Sequence, residues 1–193
     1  MAEVDDPRGA RTTREPLWRA ARFPRPAGHP MGGADEEIHA GEQALSALDY
    51  PAAYKHFDKA AKADPKNPVA WFGKAEAALG LPQMEAEEIL TCYKKAVELE
   101  PEHPQFLEAL ASFSMDLGRF NEAEQHYNKA AEVDSENAAY YWSEFAVNYK
   151  AKAPVVMERF LDDKTKDMIA QKALTYALKA IALTKDDAKR LLQ

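Results

Sequence analysis

A single cysteine, Cys92, stands in this chain of 193 residues, so no disulfide can form within it. That fits a reducing compartment, and a cytoplasmic location is expected. Long hydrophobic runs are missing too. None approaches the roughly 18–20 apolar residues that a membrane-spanning helix needs, so no membrane span is expected. Glycine is scarce, with 8 residues, and no Gly-rich phosphate loop, nucleophile elbow or zinc motif occurs. The five histidines (His29, His39, His56, His103, His126) lack metal-ligand spacing. No catalytic residue, metal or cofactor is therefore assigned, and an enzyme is not expected. Positive charge is in deficit: 25 Lys and Arg face 32 Asp and Glu, for a net charge of −7. An acidic body repels phosphate backbones, which counts against nucleic acid as the main partner.

The charge is unevenly spread. Residues 1–33 carry Arg8, Arg11, Arg14, Arg19, Arg22 and Arg25, five of the twelve prolines and no lysine. They show no helical period and read as a disordered N-terminal extension. Three explanations stand: a flexible tail, a stretch upstream of a natural start at Met31, or a targeting peptide. Glu3, Asp5 and Asp6 argue against the last.

What the chain does have is repetition. FDKAAKADP (57–65), YKKAVELEP (93–101), YNKAAEVDS (127–135) and ALKAIALTK (177–185) are copies of one pattern. Measured at Ala60, Ala96, Ala130 and Ala180, the steps are 36, 34 and 50 residues. A period near 34 marks a helical-hairpin repeat, and each hairpin must stack on its neighbours to bury its apolar face. Repeats of this kind make surfaces and rarely carry chemistry.

The punctuation agrees. Asp49-Tyr50-Pro51 and Asn67-Pro68 open helices, because Pro suits the first turn and Asn caps it. Asp64-Pro65 closes one, because the residue before Pro is pushed out of the α region. The repeats fall at about 34–67, 68–103, 104–137 and 138–185, with a C-terminal cap at 186–193. An insertion around 152–164, containing Pro154, delays the second helix of repeat four. Phe57, Tyr93 and Tyr127 read as core, Trp71 and Trp142 as packing between helices, and Cys92 as an inert thiol. The many carboxylates sit near lysines at helical spacing, as Glu98 does to Lys94 and Lys95, and read as solvated helix faces.

This pattern resembles the tetratricopeptide repeat. Repeat one supplies Gly41, Tyr50, Ala53, Phe57, Ala60 and Pro65 at the family's offsets. Repeat two supplies Trp71, Ala75, Tyr93, Ala96 and Pro101, and repeat three Leu107, Ala111, Gly118, Phe120, Ala123, Tyr127 and Ala130. Repeat four keeps Trp142, Ala146, Ala173 and Ala180. Ser135 and Lys185 depart from it by replacing the closing Pro. The resemblance covers 34–185. It implies an all-α, right-handed superhelical solenoid of about four antiparallel helix hairpins, with the first helix of each lining a concave groove.

Carried over position by position, the resemblance places Ile38, Glu42 and Leu45 of repeat one in that groove. Repeat two adds Val69, Phe72, Glu76 and Leu79, repeat three Glu108, Ser112, Met115 and Asp116, and repeat four Lys150. The expected function is a non-catalytic interaction module that holds a peptide or helix in an acidic, partly apolar groove. Its partner would be basic and amphipathic. One subfamily clamps the acidic C-terminal tails of heat-shock chaperones, but its clamp positions hold Ile38, Glu42, Gly73, Gln105 and Ala109 here. None matches, and Glu42 has the wrong sign, so those tails are not expected as partners. The alternative is a structural assembly subunit, or a homo-oligomer, that uses the convex face or the repeat-four insertion.

Overall fold

The computed structural model describes residues 33–191, so the extension read from the sequence lies, but for Gly33, outside the described residues. Eight α-helices follow one another among them. They are α1 (Gly33–Ser46), α2 (Tyr50–Ala63), α3 (Pro68–Ala78) and α4 (Ala86–Leu99), then α5 (Pro104–Asp116), α6 (Phe120–Val133), α7 (Ala138–Val156) and α8 (Asp163–Leu191). No strand occurs among the described residues. Each helix packs on the next, and α1 also touches α3 as α5 touches α7. The result is an all-α solenoid of four stacked hairpins.

Local chemistry sets the boundaries. The Asp49 side chain accepts from the Ala52 N–H at 3.0 Å, and Asn67 accepts from the Val69 N–H at 3.0 Å. Each satisfies an amide left orphaned at a helix start, with Pro51 and Pro68 filling positions that need no donor. The turn from α1 to α2 closes by a bond from the Asp49 N–H to the Ala44 carbonyl at 2.9 Å. Its counterpart between α5 and α6 runs from the Arg119 N–H to the Ser114 carbonyl at 2.8 Å.

Packing follows the repeat. Phe57, Tyr93 and Tyr127 are buried, each between its own hairpin and the next. A Cβ on Gly73 would lie 2.2 Å from the Phe57 ring, so α3 approaches α2 this closely because residue 73 has no side chain. Lys74 of α3 binds Asp58 of α2 at 2.6 Å. Burial raises the Asp58 pKa, but hydrogen bonds from Lys62 and Lys74 outweigh it and hold the carboxyl below its ordinary value.

Two features differ from the sequence reading. The delay in repeat four is largely helix: α7 continues through Pro154 to Val156, and a short 3-10 turn at Glu158–Phe160 leads to α8. Pro154 sits near the end of α7, and the bond it forfeits is to the carbonyl of exposed Lys150, where water can replace it. In addition, 186–191 continues α8 and is not a helix of its own. No glycine or proline lies between Asp163 and Leu191 to break it.

Candidate functional site

The first helices of the hairpins, α1, α3, α5 and α7, carry the groove positions. Large apolar residues placed there by the sequence go elsewhere. Leu45, Phe72 and Met115 are core. The Phe72 ring lies 4.9 Å from Phe106 and 6.0 Å from Tyr93, centroid to centroid. These side chains cannot meet a ligand without opening the stack. Ile38 is half-buried against Leu45 and Phe57, and Leu79 is half-buried against the Phe72 core. Val69 is also half-buried.

The carboxylates are divided between core and surface. Glu76 is 8% exposed, and its Oε1 accepts the Tyr93 hydroxyl at 2.5 Å. Glu108 is 7% exposed and accepts the Tyr140 hydroxyl at 2.6 Å. Ser112 is half-buried and shares a side-chain hydrogen bond with Tyr127. Burial drives the Tyr127 phenol far above its ordinary pKa, with the charges of Glu144 and Glu108 adding to the effect. Glu42 is half-buried, and its carboxylate lies 3.8 Å from His39 Nδ1. At the other end, exposed Asp116 of α5 accepts from Lys152 of α7, and Lys150 is exposed.

Glu76–Tyr93 and Ser112–Tyr127 are the same pair one repeat apart. Each joins a polar residue of the hairpin's first helix, twenty places before the repeat alanine for Glu76 and eighteen for Ser112, to a tyrosine three places before that alanine. Repeat one has Glu42 and Phe57 there, so no hydroxyl is available and Glu42 lies beside His39 instead. Tyr93, Tyr140 and Lys152 were not singled out in the sequence for these roles. The recurring Tyr at fixed offset was the available signal for the first.

No group of three or more His, Cys, Asp or Glu that could hold a metal occurs among the described residues. No described helix is long and apolar enough to cross a membrane.

Comparison with known proteins places this architecture. A tetratricopeptide repeat profile matches residues 40–90 and 90–140. The STIP1 homolog of Dictyostelium discoideum is 34% identical over 104 residues, covering 54% of this chain and 18% of that protein. A small glutamine-rich tetratricopeptide repeat-containing protein 2 from Mycosarcoma maydis is 29% identical over 112 residues, covering 58% and 31%. The chain thus matches under a third of either relative's length. Among solved structures, MamA superposes with a TM-score of 0.63 at 13% identity, over 81% of each chain. The first tetratricopeptide repeat domain of Spaghetti, bound to the HSP90 peptide SRMEEVD, gives 0.56 at 21% identity, over 63% of this chain and 94% of that one.

These comparisons overturn the exclusion of acidic chaperone tails: a fold like this one holds such a peptide. The exclusion rested on the unmatched clamp positions and on the sign of Glu42, which is half-buried with His39 Nδ1 3.8 Å away; one residue's sign does not decide what the whole face binds. Glu76 and Glu108, also counted as groove charges, are buried behind tyrosine hydroxyls. A basic, amphipathic partner rested on the same carboxylates, and on Phe72 and Met115 as anchors that are in fact core. The repeated hairpins, their stacking and the profile match agree: the chain belongs to the tetratricopeptide repeat family, and its repeats form a non-catalytic protein-interaction module.

Proposed function

We propose that the face formed by α1, α3, α5 and α7 holds an extended peptide of a protein partner, and that a carboxylate of the peptide is met by Lys150 and Lys152. The observation that carries this is the fate of the groove acids. Glu76 and Glu108 are buried against tyrosines, out of direct contact with a peptide, and Asp116 is paired with Lys152, whose charge offsets it at the α5–α7 end. Exposed Lys150 adds attraction there. Half-buried Val69 and Leu79 leave shallow apolar contacts for the peptide's side chains. The clamp positions of the first three repeats remain unmatched, which moves the carboxylate site towards repeat four. The bound peptide SRMEEVD of the Spaghetti domain supplies the natural probe. Cytoplasmic residence fits this reading, with Cys92 kept as a buried thiol.

Fluorescence anisotropy with labelled SRMEEVD tests it. Lys150→Glu with Lys152→Glu should weaken binding by about tenfold or more, or roughly 1.4 kcal/mol. Amidating the peptide's C-terminal carboxylate should act in the same direction. Equal affinity for wild type and the double variant sinks the proposal. A second reading, an assembly subunit that docks through the end of α7 and the segment after it, is favoured by the exposure of Val155 and Phe160.

A further inference from the structure

We propose that Val147, on the groove face of α7, seats an aliphatic side chain of the bound peptide, one or two residues before the carboxylate held at Lys150. The seat rests on the groove reading above, because the same peptide fills it, and it sets which peptides the groove accepts.

Repeat register singles Val147 out. Glu76, Ser112 and Val147 each lie five places after a large apolar residue of their helix, Trp71, Leu107 and Trp142. In repeats two and three the fold uses this side chain. Glu76 accepts from the Tyr93 hydroxyl at 2.5 Å, and Ser112 shares a hydrogen bond with Tyr127. Both tyrosines stand three places before the repeat alanine. In repeat four that place holds Ala177, which has no hydroxyl to offer. The tyrosine of α8 stands one place earlier, and the Tyr176 hydroxyl donates to Glu124 of α6 at 2.8 Å. Both halves of the pair are thus apolar here, and the side chain at 147 is left out of the stack. It is 65% exposed, against 8% for Glu76.

A single exposed valine carries no message by itself. Its surroundings give this one a use. Tyr140, Ser143, Val147 and Lys150 recur at helical spacing, so they run along one face of α7. Tyr140 ties that face to the groove, because its hydroxyl donates to Glu108 of α5 at 2.6 Å. Ser143 and Ala151, one turn to either side of Val147, are small and exposed, so neither covers it.

The occupant follows from Lys150, one turn further on. Residues three apart on a helix stand about 5–6 Å apart at Cβ. An extended chain rises about 3.3 Å per residue. A carboxylate at Lys150 therefore brings a side chain one or two residues earlier onto Val147. A polar side chain there would give up water for an isopropyl group that offers no hydrogen bond, whereas an aliphatic one buries apolar surface against it. The ligand class is a chain with an aliphatic residue just ahead of its carboxylate. SRMEEVD, with Val next to its last Asp, is such a chain.

Fluorescence anisotropy with the full chain, arranged as a double-mutant cycle, tests this. Val147→Ser should bind SRMEEVD about threefold or more weakly. Its circular dichroism and melt should stay those of wild type, since serine and valine have similar helix propensities and the site is exposed. Wild type should bind SRMEESD more weakly by a similar factor. Val147→Ser with SRMEESD should lose little beyond either single change, because the contact is already gone. Val69→Ser, on α3, should not couple to the peptide's Val. Unchanged affinity in Val147→Ser overturns the proposal. So do losses that multiply in the 147 cycle, or coupling at Val69 instead. If any of these comes with binding that still depends on Lys150 and Lys152, the groove reading survives without the seat. If SRMEEVD does not bind at all, both fall.

Discussion

The Tyr93 hydroxyl donates to Glu76 Oε1 at 2.5 Å, joining the second helix of a hairpin to the first from inside the stack. Burial strengthens such a charge-assisted bond and makes its loss costly. Tyr93→Phe removes the donor and leaves the ring in place. It should lower stability by about 1–3 kcal/mol in urea denaturation. Combining Tyr93→Phe with Glu76→Leu should recover part of the loss, since both polar partners then go together. A double variant no more stable than Tyr93→Phe alone would show that Glu76 matters through other contacts.

Leu48 and Gly118 lie twelve residues before Ala60 and Ala130, and both have left-handed backbone, with φ of 59° and 72°. Leucine there is strained, by roughly 1 kcal/mol, and its side chain is exposed. Leu48→Gly should therefore raise the melting temperature. Gly118→Ala should lower it, because the backbone disfavours a side chain and the new Cβ would meet Val156 Cγ1 at 2.8 Å. Thermal melts of both variants check the opposite signs.

This pair also shows what the sequence concealed. The turn after α5 is legible because Gly118 marks it, whereas Leu48 makes the same turn without the signal. Hairpin register and the aromatic core were legible because large and small residues recur at fixed offsets, as Phe57, Tyr93 and Tyr127 do before their alanines. The groove was less so. Position numbers put Phe72 and Glu76 on the concave helix, but burial is decided by what α4 and α5 bring against them: Tyr93 and Phe106. That information lies 17 and 34 residues away in sequence. Pro154 misled for a related reason, since its penalty depends on whether water can reach the abandoned carbonyl.

Tyr127 is 1% exposed, with the Phe145 ring 6.2 Å away, edge to face. Tyr127→Ala should destabilise by about 3–5 kcal/mol, the transfer and cavity terms for a large aromatic. Glu98→Ala removes an exposed side chain whose partner is Lys95 on the preceding turn, at 3.0 Å. Its effect should stay within about 0.5 kcal/mol. Paired denaturation curves with a common slope would establish the contrast.

His103 offers a test of the stack against pH. Burial lowers its pKa from the ordinary value, opposed by the charge of Glu100, and its ring stacks on Phe106 at 4.0 Å. His126 is lowered as well, chiefly by burial. A histidine whose folded pKa is depressed binds its proton more readily in the unfolded chain. Below about pH 6.5, the usual histidine value, the unfolded state gains protons that the folded state resists. Stability from these two groups is therefore complete above that pH and declines as pH falls through it. Glu37, held below its ordinary value by hydrogen bonds from His56 and Lys59, and Asp58, held below its own by those from Lys62 and Lys74 against the effect of burial, add a separate loss at lower pH as they protonate. Urea midpoints between about pH 7.5 and about pH 5.5 isolate the histidine part, because the carboxylates stay ionised there. His103→Gln should flatten that slope relative to wild type, and an unchanged slope would show that His103 is as free to protonate in the fold as outside it.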